Sequence, residues 1–148
     1  MVQEQVDRET GQGLDAPVAD AATVTRQAYA AFGARDIPAL LALLAPDVAW
    51  GQPDNPLIPS AGTRAGVEGV IEWLRIGNET EEVLALEPRR IVCDDEVAAV
   101  IGRTRIRVRR TGREYETDFV HLVTVRNGKV VRFQEFFDTF AAAEAFRE

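Results

Sequence analysis

The chain has 148 residues, of which 46% are hydrophobic and 28% charged, as expected for one globular domain. Its formal net charge of −7 argues against nucleic acid or an anionic membrane as a partner, because phosphate groups are bound by basic surfaces. No apolar run is long enough to cross a bilayer, and no secretion signal opens the sequence, so we expect a cytoplasmic protein. The single cysteine, Cys93, excludes an internal disulfide and has no neighbouring metal ligands, so we expect no metal site.

The N-terminal third combines a polar tail with two predicted helices. Residues 1–18 are polar and acidic without apolar periodicity, so we expect a flexible tail ahead of a folded domain spanning residues 19–148. Asp20 is a typical N-cap for a first helix, in which apolar residues recur with helical spacing. Asp36 precedes an Ile-Pro pair and favours a second, short helix, because proline is tolerated in the first helical turn.

The rest of the chain predicts one long helix and a series of strands. A short strand at 48–52 is followed by a proline-rich loop and a helix at 63–76, which the Gly-Asn pair after it is expected to end. Four longer strands follow, separated by pairs typical of hairpin turns: 82–92, 97–109, 113–126 and 129–138. A short helix is predicted at 141–146. Helices first and an antiparallel meander afterwards indicate an α+β fold, with helices covering one face of a curved sheet.

Three segments carry a resemblance to a known superfamily. They are YAAFGARDIPALLALLAPDVAW near the start, GTRAGVEGVIEWL in the third predicted helix and HLVTVRNGKVVRFQEFFDTFAAAEAF at the end. Over residues 24–146 the chain resembles nuclear transport factor 2-like proteins, which include SnoaL-like polyketide cyclases, ketosteroid isomerase and limonene epoxide hydrolase. The resemblance implies a cone-shaped fold, with helices in the concavity of a curved, mostly antiparallel sheet around a pocket for a small apolar molecule. Because this scaffold hosts enzymes, binding modules and targeting domains, it leaves the function open.

The catalytic residues of limonene epoxide hydrolase, carried over by position, are only partly matched. One aspartate of its Asp-Arg-Asp relay falls on Asp138, and the arginine falls on Arg103. The two residues that hold the attacking water fall on Trp50 and Gln52. The resemblance therefore implies a pocket that contains these four side chains.

The second aspartate of the relay has no direct counterpart. Its position falls on Thr104 or Arg105, depending on a one-residue gap, and neither residue is a carboxylate. Asp118 is the residue that could replace it. Epoxide hydrolysis is therefore the second choice of reaction.

SnoaL-like chemistry is the first choice. Ketosteroid isomerase fits less well, because its base falls on Gln52 and its protonated aspartate on Val120. In SnoaL-like cyclases one carboxylate, here Asp138, moves a proton next to a carbonyl of a hydrophobic substrate. The sequence thus favours a cofactor-independent cyclase or isomerase for a polyketide- or terpenoid-like molecule. A non-catalytic ligand-binding or accessory protein on the same scaffold is the alternative.

The hairpin turns decide which side chains share a face of the sheet. A two-residue Thr-Gly turn would place Arg105 opposite Asp118 and Arg103 opposite Val120. At the last hairpin, a bulged turn would put Asp138 on this charged face, whereas a turn without a bulge would put it on the opposite face. The resemblance favours the bulge. The predicted pocket face then contains Arg103, Arg105, Asp118, Val120, Gln134, Phe136 and Asp138.

The opposite face of the same strands is strongly apolar. It carries Phe119, His121, Val123, Phe133 and Phe137. Because such a face is unsuited to water, we expect it to form a homodimer interface.

Several candidates also have a structural explanation. His121, the only histidine, can be a core residue on an apolar strand face. Trp50 and Trp73 can likewise belong to the core, and Tyr29 can be a pocket hydroxyl or lie on a helix surface. Asp138 can simply cap the last helix, because an aspartate before a helical run is a good N-cap.

Overall fold

The computed structural model describes residues 18–148. The tail predicted for residues 1–18 lies outside this part of the chain, except for Val18, whose side chain is exposed. From residue 18 onward, no helix is both long and apolar enough to span a membrane.

The described residues form α-helices at the predicted places. Asp20 and Asp36 are the N-caps of the first two helices, and their carboxylates accept hydrogen bonds from the backbone N–H groups of Thr23 and Ala39 at 3.0 and 3.1 Å. The third helix passes through Gly77, which the sequence predicted as its end, because Gly77 does not adopt the positive φ of a helix C-terminus. The helices are α1 (Ala21–Gly33), α2 (Ile37–Ala42), α3 (Gly66–Thr80) and α4 (Thr139–Phe146).

Six strands form one sheet in the order β2-β1-β6-β5-β4-β3. β1 and β6 are parallel, and every other neighbouring pair is antiparallel, which confirms the predicted mostly antiparallel arrangement. The short predicted strand is longer than expected, because it starts at Leu44 directly after α2. The strands are β1 (Leu44–Gln52), β2 (Gly62–Ala65), β3 (Glu81–Cys93), β4 (Val97–Val108), β5 (Glu114–Arg126) and β6 (Lys129–Phe137).

The main core lies between the helices and the inner face of the sheet. Val24 of α1 and Val70 of α3 are fully buried against strand residues such as Val48 and Val123. Bulges in β3 and between β5 and β6 bend the strands around these helices. Each fully buried valine contributes about 1.5–3 kcal/mol through the hydrophobic effect.

The β4–β5 hairpin has the predicted faces but not the predicted register. The backbone N–H of Val108 donates to the carbonyl of Arg113 at 2.8 Å, so residues 109–112 form a four-residue loop instead of a two-residue turn. Arg103 consequently lies opposite Asp118, two residues from its expected partner. Because side chains alternate along a strand, a shift of two residues leaves every side chain on its predicted face.

The β5–β6 hairpin contains the predicted bulge, although not in its turn. Arg126 pairs with Lys129 across a two-residue Asn-Gly turn, and the irregularity follows between Thr124 and Val125. Beyond it, Phe136 lies opposite Val120, on the same side of the sheet as the arginines of β4. The predicted grouping of side chains into two faces is therefore confirmed.

The functions that the sequence assigned to these two faces are reversed. Phe119, His121 and Phe133 lie on the inner face and are 1%, 7% and 9% exposed, so this face cannot be the predicted dimer interface. The outer face carries the arginines and carboxylates. The apolar sides of the helices need an apolar partner, whereas ion pairs on the outer face remain solvated, and this difference decides which face is covered.

Candidate functional site

A cavity of about 150 Å³ lies between the inner face of the sheet and the helices. Val83 of β3 is 45% exposed, whereas the other lining side chains are partly or fully buried, so β3 marks the mouth. Aromatic residues form much of the wall: Trp50 stacks on Phe133 with ring centroids 4.1 Å apart, and Trp73 lies 5.5 Å from Trp50. Most of this surface is therefore apolar.

Three neighbouring strands bring polar side chains into a row across the cavity. His121 of β5 lies directly opposite Glu135 of β6, and its Nε2 is 2.8 Å from Oε2 of that carboxylate. Gln52 of β1 donates from Nε2 to Oε1 of Glu135 at 2.5 Å, and Ser60 Oγ donates to Oε1 of Gln52 at 2.8 Å. Both oxygens of Glu135 thus have a donor, which fixes the carboxylate beside the imidazole.

Tyr29 of α1 completes the row from the helical side. Its hydroxyl is hydrogen bonded to Nδ1 of His121, and its ring stacks on the imidazole with centroids 5.9 Å apart. Burial, together with the negative charge of Glu135, raises the pKa of Tyr29 above its usual range, so the hydroxyl keeps its proton at neutral pH. In the neutral imidazole, Nδ1 accepts from Tyr29 and Nε2–H donates to Glu135. We call these three residues the Tyr29–His121–Glu135 chain.

A second polar pair lines the same cavity. Tyr115 of β5 donates from its hydroxyl to Oε2 of Glu81 at 3.1 Å. Burial raises the pKa of Glu81 to about 7, with the hydrogen bond from Tyr115 opposing the shift and the charge of Glu135 adding to it. Burial also raises the pKa of Tyr115 above its usual range. A carboxyl group with a pKa near 7 can both give and take a proton at neutral pH.

Four of the residues predicted from the sequence do line the cavity. Trp50, Gln52 and Tyr29 lie there as expected for substrate-binding residues. His121 lies there as well, although its face was predicted to be a dimer surface. Thr104, at one of the two positions considered for the second relay aspartate, also lines the cavity, and its hydroxyl donates to the carbonyl of Ala85 at 2.8 Å.

Asp138 lies outside the cavity and caps α4. Its Oδ1 accepts from the backbone N–H of Ala141 at 3.0 Å, and its own N–H donates to Oγ1 of Thr117 at 2.9 Å. Its side chain is not among those that line the cavity. This geometry corrects the predicted pocket position, since the carboxylate points to the helix N-terminus that follows it.

The other predicted pocket residues lie on the outer face. Arg103 donates to Asp118 and Glu116, each at 3.0 Å, and the side chain of Asp118 is 79% exposed. These ion pairs raise the pKa of Arg103 and form a solvated ladder rather than a buried relay. The residues corrected in this way are Arg103, Arg105, Asp118, Val120, Gln134 and Phe136.

Sequence reasoning missed three titratable residues of the cavity: Glu81, Tyr115 and Glu135. A usable pattern existed for Glu135, because it lies between Phe133 and Phe137 on the same apolar face of β6. Burying a carboxylate on an apolar face costs free energy unless it has a buried partner. Glu81 offered no comparable pattern, since it is placed by the junction of α3 and β3.

The cavity holds acidic, imidazole and phenol groups but no metal-binding cluster. Within residues 18–148, no three His, Cys, Asp or Glu side chains come together as metal ligands. The arrangement of a histidine between a carboxylate and a phenol is suited to moving protons.

Residues 25–133 match the model of the SnoaL-like domain. The chain belongs to the SnoaL-like family. An uncharacterized protein of Mycobacterium tuberculosis is 31% identical over 126 residues, covering 83% of this chain and 92% of the relative. The cavity described above is therefore that of a SnoaL-like domain, in the nuclear transport factor 2-like fold expected from the sequence.

Solved structures share this fold over nearly their whole length. The crystal structure of an NTF2-like protein from Burkholderia xenovorans is similar with a TM-score of 0.79 and 34% identity, covering 85% of this chain and 95% of that one. TerC, co-crystallized with polyporic acid, is similar with a TM-score of 0.76 and 30% identity, covering 86% of this chain and 98% of that one. These similarities define the scaffold and leave the reaction to be argued from the cavity.

Proposed function

We propose that this SnoaL-like protein is a cofactor-independent acid–base enzyme, of the isomerase or cyclase type, for a small apolar carbonyl compound. The observation that carries the proposal is the Tyr29–His121–Glu135 chain inside an otherwise apolar cavity. The hydrogen bond between Nε2 of His121 and the buried Glu135 carboxylate holds the imidazole in one orientation. A phenol that keeps its proton at neutral pH connects this imidazole to the space for the substrate.

The proposed step is a proton transfer next to a carbonyl group. Tyr29 oxygen accepts a proton from the substrate carbon while its own proton passes to Nδ1 of His121, and Glu135 stabilises the imidazolium that forms. Reversal of the transfer at another carbon isomerises the substrate, and attack by the enolate carbon on a second carbonyl closes a ring. General acid–base catalysis of this kind contributes about 10²–10⁴-fold in rate.

The cavity supports a substrate whose reacting part is about one ring in size. A cavity of this volume accommodates a benzene-sized molecule. Trp50 and Phe133 supply flat walls for an aromatic or alicyclic ring. A polyketide- or terpenoid-like substrate would place one ring inside and extend past Val83 to the outside. The co-crystallization of the similar protein TerC with polyporic acid supports a small organic molecule as the substrate.

Hydrogen–deuterium exchange tests the proposal without knowledge of the natural substrate. Acetophenone carries one ring and one carbonyl, and NMR in D₂O follows exchange of its methyl protons. We expect the wild type to accelerate exchange and His121→Asn to lose about a hundredfold of that acceleration. Asp118→Asn on the outer face is the matched control and should exchange as the wild type does. Equal exchange by the wild type and His121→Asn contradicts the proposal.

We also propose a homodimer, through the outer face instead of the inner face predicted from the sequence. No described helix covers this face, and three of its apolar side chains are 41–49% exposed: Val92, Ile101 and Phe136. Beside them, a row of arginines on β4, including Arg103, forms ion pairs with a row of carboxylates on β5, including Asp118. Two copies related by a twofold axis can align such rows with opposite signs facing each other.

A further inference from the structure

Glu81 and Tyr115 form a polar pair that the Tyr29–His121–Glu135 chain does not include. Both line the cavity, and their only side-chain hydrogen bond among the described residues joins them to each other. Tyr115 and His121 lie on the same face of β5, six residues apart, which corresponds to about 20 Å along an extended strand. The curved sheet and the long side chains bring both polar groups into one cavity, from different sides.

The surroundings of Glu81 favour the neutral carboxylic acid. The titratable groups that line the cavity with it are Tyr29 of α1, Tyr115 and His121 of β5, and Glu135 of β6. No arginine or lysine is among the lining residues, and His121 is already hydrogen bonded to Glu135. A second carboxylate would therefore carry an unbalanced charge in an apolar cavity, which is costly. Burial correspondingly raises the pKa of Glu81 to about 7.

We propose that Glu81 is a second catalytic residue, the general acid that protonates the substrate oxygen while the Tyr29–His121–Glu135 chain removes a proton from carbon. This inference rests on the proposed function and adds the group that completes its chemistry. The C–H bond of the substrate breaks, and its proton enters the Tyr29–His121–Glu135 chain. The O–H bond of Glu81 breaks, and its proton goes to the carbonyl oxygen. The products are a neutral enol, an imidazolium and a Glu81 carboxylate that keeps the hydrogen bond from Tyr115.

The substrate that fits two such groups turns its carbonyl oxygen toward Glu81 and the C–H group next to that carbonyl toward Tyr29. Tyr115 is a positioning residue here, because it contacts the acid and not the reacting atoms. With both groups present, the cavity binds the ketone in one orientation.

Acetophenone and the isosteric variant Glu81→Gln provide the test. In the wild type, we expect exchange to slow as the pH rises through about 7, because Glu81 loses the proton that it donates. Glu81→Gln should lower exchange by about 10–100-fold and remove this pH dependence. Tyr115→Phe should move the midpoint to higher pH, because it removes the hydrogen bond that stabilises the carboxylate.

Infrared spectroscopy of bound acetophenone gives a readout that does not depend on turnover. Donation from Glu81 should lower the carbonyl stretching frequency at pH 6, with the shift decreasing above pH 7 in the wild type only. If His121→Asn abolishes exchange while Glu81→Gln keeps the wild-type rate and pH profile, the role of Glu81 is refuted and the proposed function stands. If His121→Asn exchanges as the wild type does, the proposed function fails. In that case, a carbonyl shift that is unchanged in Glu81→Gln overturns the role of Glu81 as well.

Discussion

Replacing Glu81 by glutamine should change how the stability of the protein depends on pH. The native protein holds the proton of Glu81 up to about pH 7, whereas the unfolded chain releases it near 4.5. Below pH 4.5 both states are protonated, so the group does not oppose folding. Between pH 4.5 and 7 the unfolded state binds fewer protons than the native state, and the free energy of unfolding falls as the pH rises.

The size of this effect follows from the difference between the two pKa values. A difference of about 2.5 units corresponds to about 3 kcal/mol, since one unit is 1.36 kcal/mol. Glutamine fills the same space and carries no charge, so Glu81→Gln lacks this loss. We therefore expect the stability of the variant relative to the wild type to rise by about 3 kcal/mol between pH 4 and pH 8.

Urea unfolding of both proteins at intervals from pH 4 to pH 9 measures this difference. Most other titrating groups contribute equally to both proteins and cancel when the two free energies are subtracted. The contribution of Glu135 depends on the charge of Glu81. Introducing Glu135→Gln into both the wild type and Glu81→Gln controls for it. A difference between wild type and Glu81→Gln that stays constant across this range would refute the buried, neutral state of Glu81.

Three further predictions concern the sheet and its surroundings. Gly102→Ala should cost about 2–4 kcal/mol in urea unfolding, because a Cβ there would lie 2.4 Å from the carbonyl oxygen of Glu87 and 2.5 Å from the ring of Phe119; an unchanged midpoint would show that β3 and β4 move apart freely. Asp138→Asn should keep acetophenone exchange, and Asp138→Ala should cost about 1 kcal/mol as a lost N-cap; a hundredfold loss of exchange in the asparagine variant would return this residue to catalysis. Phe136→Glu should convert dimers into monomers in light scattering, and a monomeric wild type would rule out the outer-face dimer.

The fold could be predicted from the sequence because local patterns determine it. Asp20 and Asp36 are followed by helices whose first turns need those caps, and strand alternation separates charged from apolar side chains in β4 and β5. The β4–β5 register was off by two residues, because a Thr-Gly pair does not reveal that the loop also includes Arg109 and Arg110. Because side chains alternate along a strand, this error of two residues did not change the predicted face of any side chain.

The resemblance predicted only part of the site correctly. Trp50 and Gln52 were placed by resemblance, and β1 does carry them into the cavity. The predicted pocket positions of Arg103 and Asp138 were wrong, because each side chain forms hydrogen bonds outside the apolar cavity. Glu135 was not predicted because a charged residue in a strand is usually solvated, and its hydrogen bonds with His121 and Gln52 explain its burial.

The parallel pairing of β1 with β6 has a consequence for the order of folding. β3, β4, β5 and β6 follow one another as hairpins and can pair while only short loops close. β1 can pair early with β2, but its other edge pairs with a strand near the other end of the chain, and during synthesis that edge has no partner until β6 has left the ribosome. The cavity unites Tyr29 and Gln52 from the early segment with His121 and Glu135 from the late one. Acetophenone binding should therefore be the slowest signal to return when the protein refolds.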